Sequence, residues 1–227
     1  LYIPFNLLIY FNFKYLIIKV NMKIVIGTHN RDKLKELMLA FRVKNLDIEL
    51  LSLDNFPKVG DIPETGKTLK ENALIKAREV NMLTKLPALS DDTGLEVDAL
   101  HGAPGVFTAR YAGINCTYRD NVEKLLNDLE KVPISNRTAK FRTVVAYVDK
   151  EFEIVAEGYC KGFISRSIEG ENGFGYDPIF FIPNENKTFA QMTIEEKQNY
   201  SHRGKAIRAI VELLIPHFNS CIEKEIA

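Results

Sequence analysis

The chain is 227 residues long, enough for one large domain or two small lobes that bury a sizeable core. Hydrophobic residues make up 46% and charged residues 26%, which is typical of globular proteins and excludes an intrinsically disordered chain. Lys plus Arg and Asp plus Glu number 30 each, so no net positive field favours a nucleic-acid polymer as partner. The three cysteines are widely spaced without a C-x-x-C pattern, which predicts free thiols in a reducing, cytoplasmic compartment.

Residues 1–21 differ in composition from the rest of the chain, since they contain no acidic residue, Gly, Ala, Ser or Thr. A membrane anchor or signal peptide is one interpretation, but Asn6, Asn12 and Lys14 interrupt the apolar run, and no small-residue cleavage site follows. We favour a non-native extension translated from upstream DNA, with Met22 as the natural start, and expect no membrane partner. The remaining chain is then predicted to form one domain over 22–220, followed by a tail over 221–227.

The hydrophobic pattern after Met22 predicts strands and helices in mixed order. In chain order we predict a strand at 23–27, a helix at 32–41, a strand at 48–53, a helix behind the capping box Thr68–Glu71, a short strand at 86–89 that stops at 90–94 and resumes at 95–97, a helix at 120–132, and long neighbouring strands at 138–148 and 153–164. A second capping box at Thr193–Glu196 precedes a final helix that Ser201 caps. This order favours an α/β fold with a mixed β-sheet, helices outside and a cleft at the strand ends.

A candidate anion site lies between the first strand and the first helix. The segment consists of Thr28, His29, Asn30, Arg31, Asp32 and Lys33. Backbone N–H groups at a helix N-terminus are unpaired and positively polarised, which suits a phosphate, and the hydroxyl, amide and ammonium groups could complete an anion cradle. The alternative is an ordinary capped turn with a solvated lysine, because short motifs of this kind give many false positives.

Two adjacent carboxylates, Asp91 and Asp92, follow a short apolar run and precede Thr93 and Gly94. We expect a strand end with a sharp turn at the glycine, where such carboxylates are typical of a Mg²⁺ site completed by water and substrate phosphates. Because successive side chains of a strand point in opposite directions, one Asp can bind metal while the other anchors the loop. The alternative is a polar turn in which an Asp caps the backbone. Glu64 is a further candidate carboxylate, or simply an acid that favours the positive end of the following helix.

Two later segments carry candidate base-binding residues. The first is a glycine-rich segment made of Gly173, Phe174, Gly175, Tyr176 and Asp177. Glycine lets the backbone approach a ligand closely, and an exposed Phe there can stack on a nucleobase; the alternative is a simple bend. The second is His202 and Arg203 at the start of the final helix, where cations are unfavourable unless an anion or another electron-rich group lies nearby. We therefore expect these two side chains to meet a ligand.

Together these segments resemble the Ham1/inosine triphosphatase family, whose bacterial members are XTP/dITP diphosphatases. The resemblance covers Met22 to about Phe218 and rests on an ordered set of segments: Thr28–Lys33, Glu64–Gly66, Glu71–Ala73, Asp91–Leu95, Gly102–Gly105, Ala109–Gly113, Gly173–Phe180, Glu196–Lys197 and Ser201–Arg203. It implies two lobes around a central nucleotide-binding cleft, a small-molecule nucleoside triphosphate as partner, and a homodimer.

The resemblance also implies hydrolysis of ITP, dITP and XTP to the monophosphate and pyrophosphate, by attack of a metal-activated water on the α-phosphorus. One Mg²⁺ per subunit would be held by Glu64 and Asp92, and Asp92 would also accept the proton. The triphosphate would bind at 28–33, with Lys33 and Lys197 stabilising phosphate charge. Further substrate contacts are implied for Thr93, Phe174, Gly175, Tyr176, Asp177, Lys197, His202 and Arg203.

Two other functions fit parts of the pattern. A Maf-like pyrophosphatase acting on dTTP or UTP would have related architecture, but Phe174–Asp177 together with Ser201–Arg203 favours the purine-specific branch. A non-catalytic nucleotide sensor would be expected to lack the metal carboxylates, whereas Glu64, Asp91 and Asp92 are all present.

Overall fold

The structure is a computed structural model that describes residues 22–42 and 48–226. Its elements are, in chain order, β1 (Met22–Ile26), α1 (Arg31–Arg42), β2 (Ile48–Ser52), α2 (Leu69–Thr84), β3 (Ala88–Val97), β4 (Pro104–Gly105), α3 (Tyr118–Asp128), β5 (Thr138–Val148), β6 (Glu153–Ile164), β7 (Phe180–Ile182), β8 (Lys187–Thr188), α4 (Ile194–Tyr200) and α5 (His202–Ile226). The extension predicted at 1–21 lies outside the described residues, and α5 continues past the domain end predicted at 220. In the described part of the chain, no helix combines the length and the apolar character that crossing a membrane requires.

The strands form one mixed sheet in the order β2-β1-β3-β5-β6-β7-β8, with β4 paired to β3. Strand β1 pairs in parallel with β2 and β3, whereas β3, β5 and β6 pair antiparallel. Because side chains alternate along a strand, Val145 and Tyr147 of β5 pack with α1 and α5, while Val144 and Ala146 pack with α2. Helices therefore cover both faces of the sheet, which confirms the predicted fold class.

The carboxylate segment is where the structure differs most from the prediction. Strand β3 does not stop at Ser90 but runs unbroken, so Asp91 and Asp92 lie within a strand that pairs with β5 along its whole length. Gly94 forms no turn. A Cβ at this position would lie 2.8 Å from the carbonyl oxygen of Gly105, so glycine is needed here because β4 approaches β3 closely. The predicted turn was wrong because polar residues followed by glycine are also the usual pattern at the end of a strand.

Capping by threonine sets the starts of three helices, α2, α3 and α4. The two predicted capping boxes are confirmed, since Thr68 accepts a hydrogen bond from the Glu71 N–H at 3.1 Å and Thr193 accepts one from the Glu196 N–H at 3.2 Å. A third box at Thr117 starts α3 two residues earlier than predicted, and α3 ends at 128 instead of 132. This earlier start brings Tyr118 into the first turn of the helix.

Candidate active site in the central cleft

The predicted anion segment forms a capped helix start at the end of β1. The Asn30 side-chain oxygen accepts the N–H groups of Asp32 and Lys33, both at 3.0 Å, and Thr28 Oγ1 accepts the Asn30 N–H at 3.2 Å. Two of the N–H groups expected to face a phosphate are therefore already bonded to Asn30. The prediction of unpaired N–H groups at these positions was wrong, because the asparagine in the segment is itself the cap.

Only part of this segment lines the cleft. Asn30 and Lys33 do, whereas His29 is exposed with Nε2 3.4 Å from the Gly60 carbonyl oxygen. Arg31 is also exposed, and Asp32 faces a neighbouring cavity, 3.6 Å from the Lys35 ammonium. The remaining member, Thr28, is half-buried and does not line the cleft. The ammonium of Lys33 therefore carries the positive charge that this segment presents to the cleft.

A lysine that the sequence analysis missed lies between the two predicted metal carboxylates. The Lys76 ammonium is 2.5 Å from Glu64 and 3.8 Å from Asp92. Burial raises the pKa of Asp92, although Lys76 opposes this shift. Burial lowers the pKa of Lys76, but Asp92 and Glu64 outweigh that effect and raise it overall. The sequence signal for Lys76 is its spacing, four residues after Asn72 on the same helix. Asn72 is fully buried, and its side-chain amide donates to Asp92 at 3.0 Å.

Asp91 and Asp92 have separate partners. The Asp91 carboxylate accepts Nε of Arg203 at 3.1 Å and the Thr93 hydroxyl at 3.2 Å, and it lies 3.5 Å from the Lys33 ammonium. Burial alone would raise its pKa, but Lys33 and Arg203 hold the pKa of Asp91 well below its usual range. Asp91 therefore stays ionised and anchors the cationic side chains of the cleft, whereas the sequence predicted that one Asp of the pair would anchor a loop.

Helix α1 contributes a second residue that the sequence analysis missed, Glu36. Its buried carboxylate lies 2.6 Å from the Lys197 ammonium and also accepts a hydrogen bond from Arg203. Lys197 in turn lies 2.5 Å from Asp177. Because Glu36 is three residues after Lys33, both occupy the same face of α1, and that spacing was the available signal. The result is a buried ion cluster under the cleft.

This cluster changes the interpretation of the cations at the start of α5. The expectation that these side chains meet a ligand was based on missing anions, but Arg203 has its anions within the protein, namely Glu36 and Asp91. His202 is stacked on Phe141 with ring centroids 4.5 Å apart. Burial, together with the nearby Arg203 and Lys197 charges, keeps the pKa of His202 well below its usual value, so its ring is neutral. No described residue hydrogen bonds to its buried Nδ1.

The glycine-rich segment forms the opposite wall. Phe174 is half-buried between Gly173 and Gly175, whose φ angles of +74° and +61° suit glycine. Its N–H donates to Asp177 at 2.9 Å, and its ring centre lies 4.9 Å from the Lys197 ammonium. The ring is thus held over the buried ion cluster by backbone and cation–π contacts.

These groups surround one cavity of about 120 Å³. Its lining combines apolar and aromatic side chains with carboxylate, ammonium and guanidinium groups. Of the residues predicted from sequence, the structure places in this lining Asn30, Lys33, Glu64, Asp92, Thr93, Phe174, Gly175, Tyr176, Asp177, Lys197, His202 and Arg203. Tyr176 has a mainly structural role, since its side chain is buried and its hydroxyl donates to the Thr108 carbonyl oxygen at 3.0 Å.

Comparison with known proteins agrees with this architecture. A sequence model of the Ham1 family matches residues 24–213. A curated relative from Elusimicrobium minutum, named dITP/XTP pyrophosphatase, is 48% identical over 192 residues, which cover 83% of this chain and 98% of the relative. A HAM1 protein from Coxiella burnetii has a TM-score of 0.77 at 41% identity, covering 85% of this chain and 98% of that one. The Staphylococcus aureus Ham1 protein has a TM-score of 0.76 at 37% identity, covering 86% and 99%. The chain therefore belongs to the Ham1 family.

Proposed function

We propose that this protein hydrolyses the non-canonical purine nucleoside triphosphates ITP, dITP and XTP to the monophosphate and pyrophosphate. The observation that carries the proposal is one cleft whose lining combines aromatic rings with carboxylate and ammonium groups. We assign the nucleobase to the end with Phe174 and the neutral His202, and the triphosphate to the end with Lys33 and Asp92, 3.8 Å from which lies the Lys76 ammonium. The names of the relatives support the same substrate class.

We further propose that Glu64 and Asp92 hold one Mg²⁺ in each subunit. Both carboxylates approach the same Lys76 ammonium, so they already share a cation within reach of the cleft. One or two carboxylates, with water and substrate phosphates, are the ligands that Mg²⁺ prefers in enzymes of this kind. The chemistry that a bound Mg²⁺ supplies is polarisation of the phosphate oxygens and of a water molecule. The homodimer implied by the family remains part of the proposal, and light scattering of the purified protein tests it.

In the proposed mechanism, Asp92 accepts the proton of the water that attacks the α-phosphorus. Asp92 lines the cavity, and its carboxylate is fixed by a hydrogen bond from the Asn72 side-chain amide at 3.0 Å. Lys33 and Lys76 stabilise the negative charge that develops on the phosphates. Lys197 has a different role from the phosphate contact expected from the family, because its ammonium is enclosed by Glu36 and Asp177. We assign it to holding the Phe174 ring.

We assign recognition of the base to the other end of the cleft. A 6-oxopurine presents a carbonyl oxygen and an N–H on its edge, and a neutral imidazole can donate one hydrogen bond and accept another. The buried Nδ1 of His202 lacks a partner among the described residues, and Arg203 borders the same end. A buried polar group that only the correct base satisfies discriminates strongly against other bases.

The test is a pyrophosphate-release assay with ITP, dITP, XTP, GTP and ATP, with Mg²⁺ or with EDTA. We expect kcat/KM for ITP, dITP and XTP to exceed that for ATP by at least about tenfold, with pyrophosphate as the product and no activity in EDTA. Release of orthophosphate, or equal rates on ATP and ITP, would overturn the proposal.

A further inference from the structure

Tyr118 lies at the mouth of the cleft although no predicted site includes it. It is the first residue of α3, directly after the Thr117 cap, and its side chain is on the lining of the cavity. Its relative exposure of 45% places it at the boundary between the cavity and solvent. The fixed start of α3 sets the direction of this side chain, because Thr117 and Asp120 bond each other's backbone N–H groups.

The Tyr118 side chain connects the two ends of the cleft. Its hydroxyl accepts a hydrogen bond from the Asn30 side-chain amide at 2.7 Å. Its ring centre lies 5.9 Å from that of Phe174, with an angle of 44° between the planes. Asn30 cannot reorient easily, since its other side-chain atom caps α1. The tyrosine therefore bridges the start of α1 and the glycine-rich wall.

The cavity behind this bridge is small for a nucleotide. Its volume is about 120 Å³, whereas sites for ligands of drug size occupy roughly 300–1,000 Å³. The rings of Tyr118 and Phe174 are within the contact range of aromatic pairs, so a nucleoside entering the cleft must separate or slide along them.

We propose that Tyr118 contacts the nucleoside part of the substrate, forming the outer wall of the cleft opposite Phe174. This inference rests on the proposed function, because it assumes a purine nucleotide as ligand. The ring covers the base and ribose, and the bond to Asn30 keeps this wall in register with the end that binds the triphosphate. Tyr118 is thus a substrate-contacting residue at the nucleoside end, and it is not a phosphate ligand.

The test compares Tyr118→Ala and Tyr118→Phe with Arg119→Ala, a control at the next position of α3 whose side chain is 80% exposed. Calorimetric titrations measure the Kd of inosine monophosphate and of pyrophosphate, and kinetics give kcat and KM for ITP. We expect Tyr118→Ala to weaken inosine monophosphate binding and raise KM by about fivefold or more, with the Kd of pyrophosphate and kcat unchanged. Tyr118→Phe keeps the ring, so its Kd for inosine monophosphate and its KM for ITP should stay close to those of the wild type. Arg119→Ala behaves as the wild type.

Two results would overturn the inference. The first is an unchanged Kd of inosine monophosphate in Tyr118→Ala. The second is an equal loss of affinity for pyrophosphate and for inosine monophosphate, which would place Tyr118 at the phosphate end or make its role structural. Calorimetry also separates this inference from the proposed function. A wild-type protein that binds inosine monophosphate but releases no pyrophosphate from ITP would refute the hydrolysis alone, and the variants would still decide the role of Tyr118.

Discussion

Replacing Glu36 by Gln tests whether the buried ion cluster stabilises the cleft. The substitution keeps the size of the side chain but removes the charge that faces both Lys197 and Arg203. Lys197 then keeps Asp177, whereas Arg203 keeps only Asp91, which the Lys33 ammonium also faces at 3.5 Å. Three cations therefore face two carboxylates, and one positive charge is left uncompensated. Breaking a buried ion pair in this way costs about 3–5 kcal/mol, because the remaining charge stays away from water. For a protein of this size the loss corresponds to a fall in Tm of roughly 6–20 °C.

The matched control is Glu49→Gln, which removes an exposed carboxylate 3.1 Å from Lys23. Exposed pairs contribute only about 0–1 kcal/mol. Urea unfolding of both variants, analysed by linear extrapolation with unchanged slope m, gives the two free energies of unfolding. If Glu36→Gln loses no more stability than Glu49→Gln, the cluster does not stabilise the fold and the electrostatic argument fails.

The same comparison has a defined pH dependence. Burial would raise the pKa of Glu36, but Arg203 and Lys197 outweigh it and hold the pKa below its ordinary value of 4.5. A carboxylate with a lowered pKa stabilises the folded state above its unfolded-state pKa, and this contribution is lost as the pH falls through the folded-state value. The stability difference between wild type and Glu36→Gln is therefore largest above about pH 4.5 and narrows at lower pH.

Three further predictions address the reaction and the strand. Asp92→Asn should lower kcat with ITP and Mg²⁺ by about 10²–10⁴-fold, since an amide cannot accept the proton. The Tm should stay near that of the wild type. Near wild-type turnover would refute the assignment of Asp92 as proton acceptor. Lys33→Ala should raise KM for ITP and GTP by the same factor, because phosphate contacts carry no information about the base. The control Lys35→Ala, with an exposed side chain on the same helix, should leave both KM values unchanged. A change in the ratio of the ITP and GTP KM values in Lys33→Ala would remove Lys33 from the phosphate end. Gly94→Ala should lower the free energy of unfolding by about 1–3 kcal/mol, because the added methyl group would contact the Gly105 carbonyl oxygen. The control Gly60→Ala, with open space around it, should leave the free energy of unfolding, measured in urea, nearly unchanged. Equal losses in the two variants would contradict the close approach of β4.

The helices and most strands could be predicted because their signals are local. The capping boxes at Thr68 and Thr193 and the apolar stripes of α1, α2 and α5 depend on residues within one or two turns. Strand β3 failed for the opposite reason. Its extended conformation at Gly94 is set by pairing with β5 and by the approach of β4, and neither neighbour is adjacent in the sequence.

The ion cluster could not be derived from the sequence because its members are far apart along the chain. Glu36 lies 161 residues from Lys197 and 167 from Arg203, and Asp91 lies 112 residues from Arg203. The local sequence indicates an unfavourable cation at the start of α5, and we expected a ligand to supply the missing anion. The fold supplies that anion from α1 and β3. The local electrostatic conflict therefore pointed to two residues that line the cleft, although the anions that balance Arg203 belong to the protein.

This charge pairing also supports the proposed position of the triphosphate in the cleft. Lys197 and Arg203 face three carboxylates between them, because they share Glu36, so they have little unbalanced charge to offer an incoming anion. Lys33 has one carboxylate partner, at the longer distance of 3.5 Å. Lys76 lies between Glu64 and Asp92, the two carboxylates that a bound metal would neutralise. This balance of charges is the reason we propose that the triphosphate binds beside Lys33 and Lys76 and the base beside the neutral His202 and the aromatic rings.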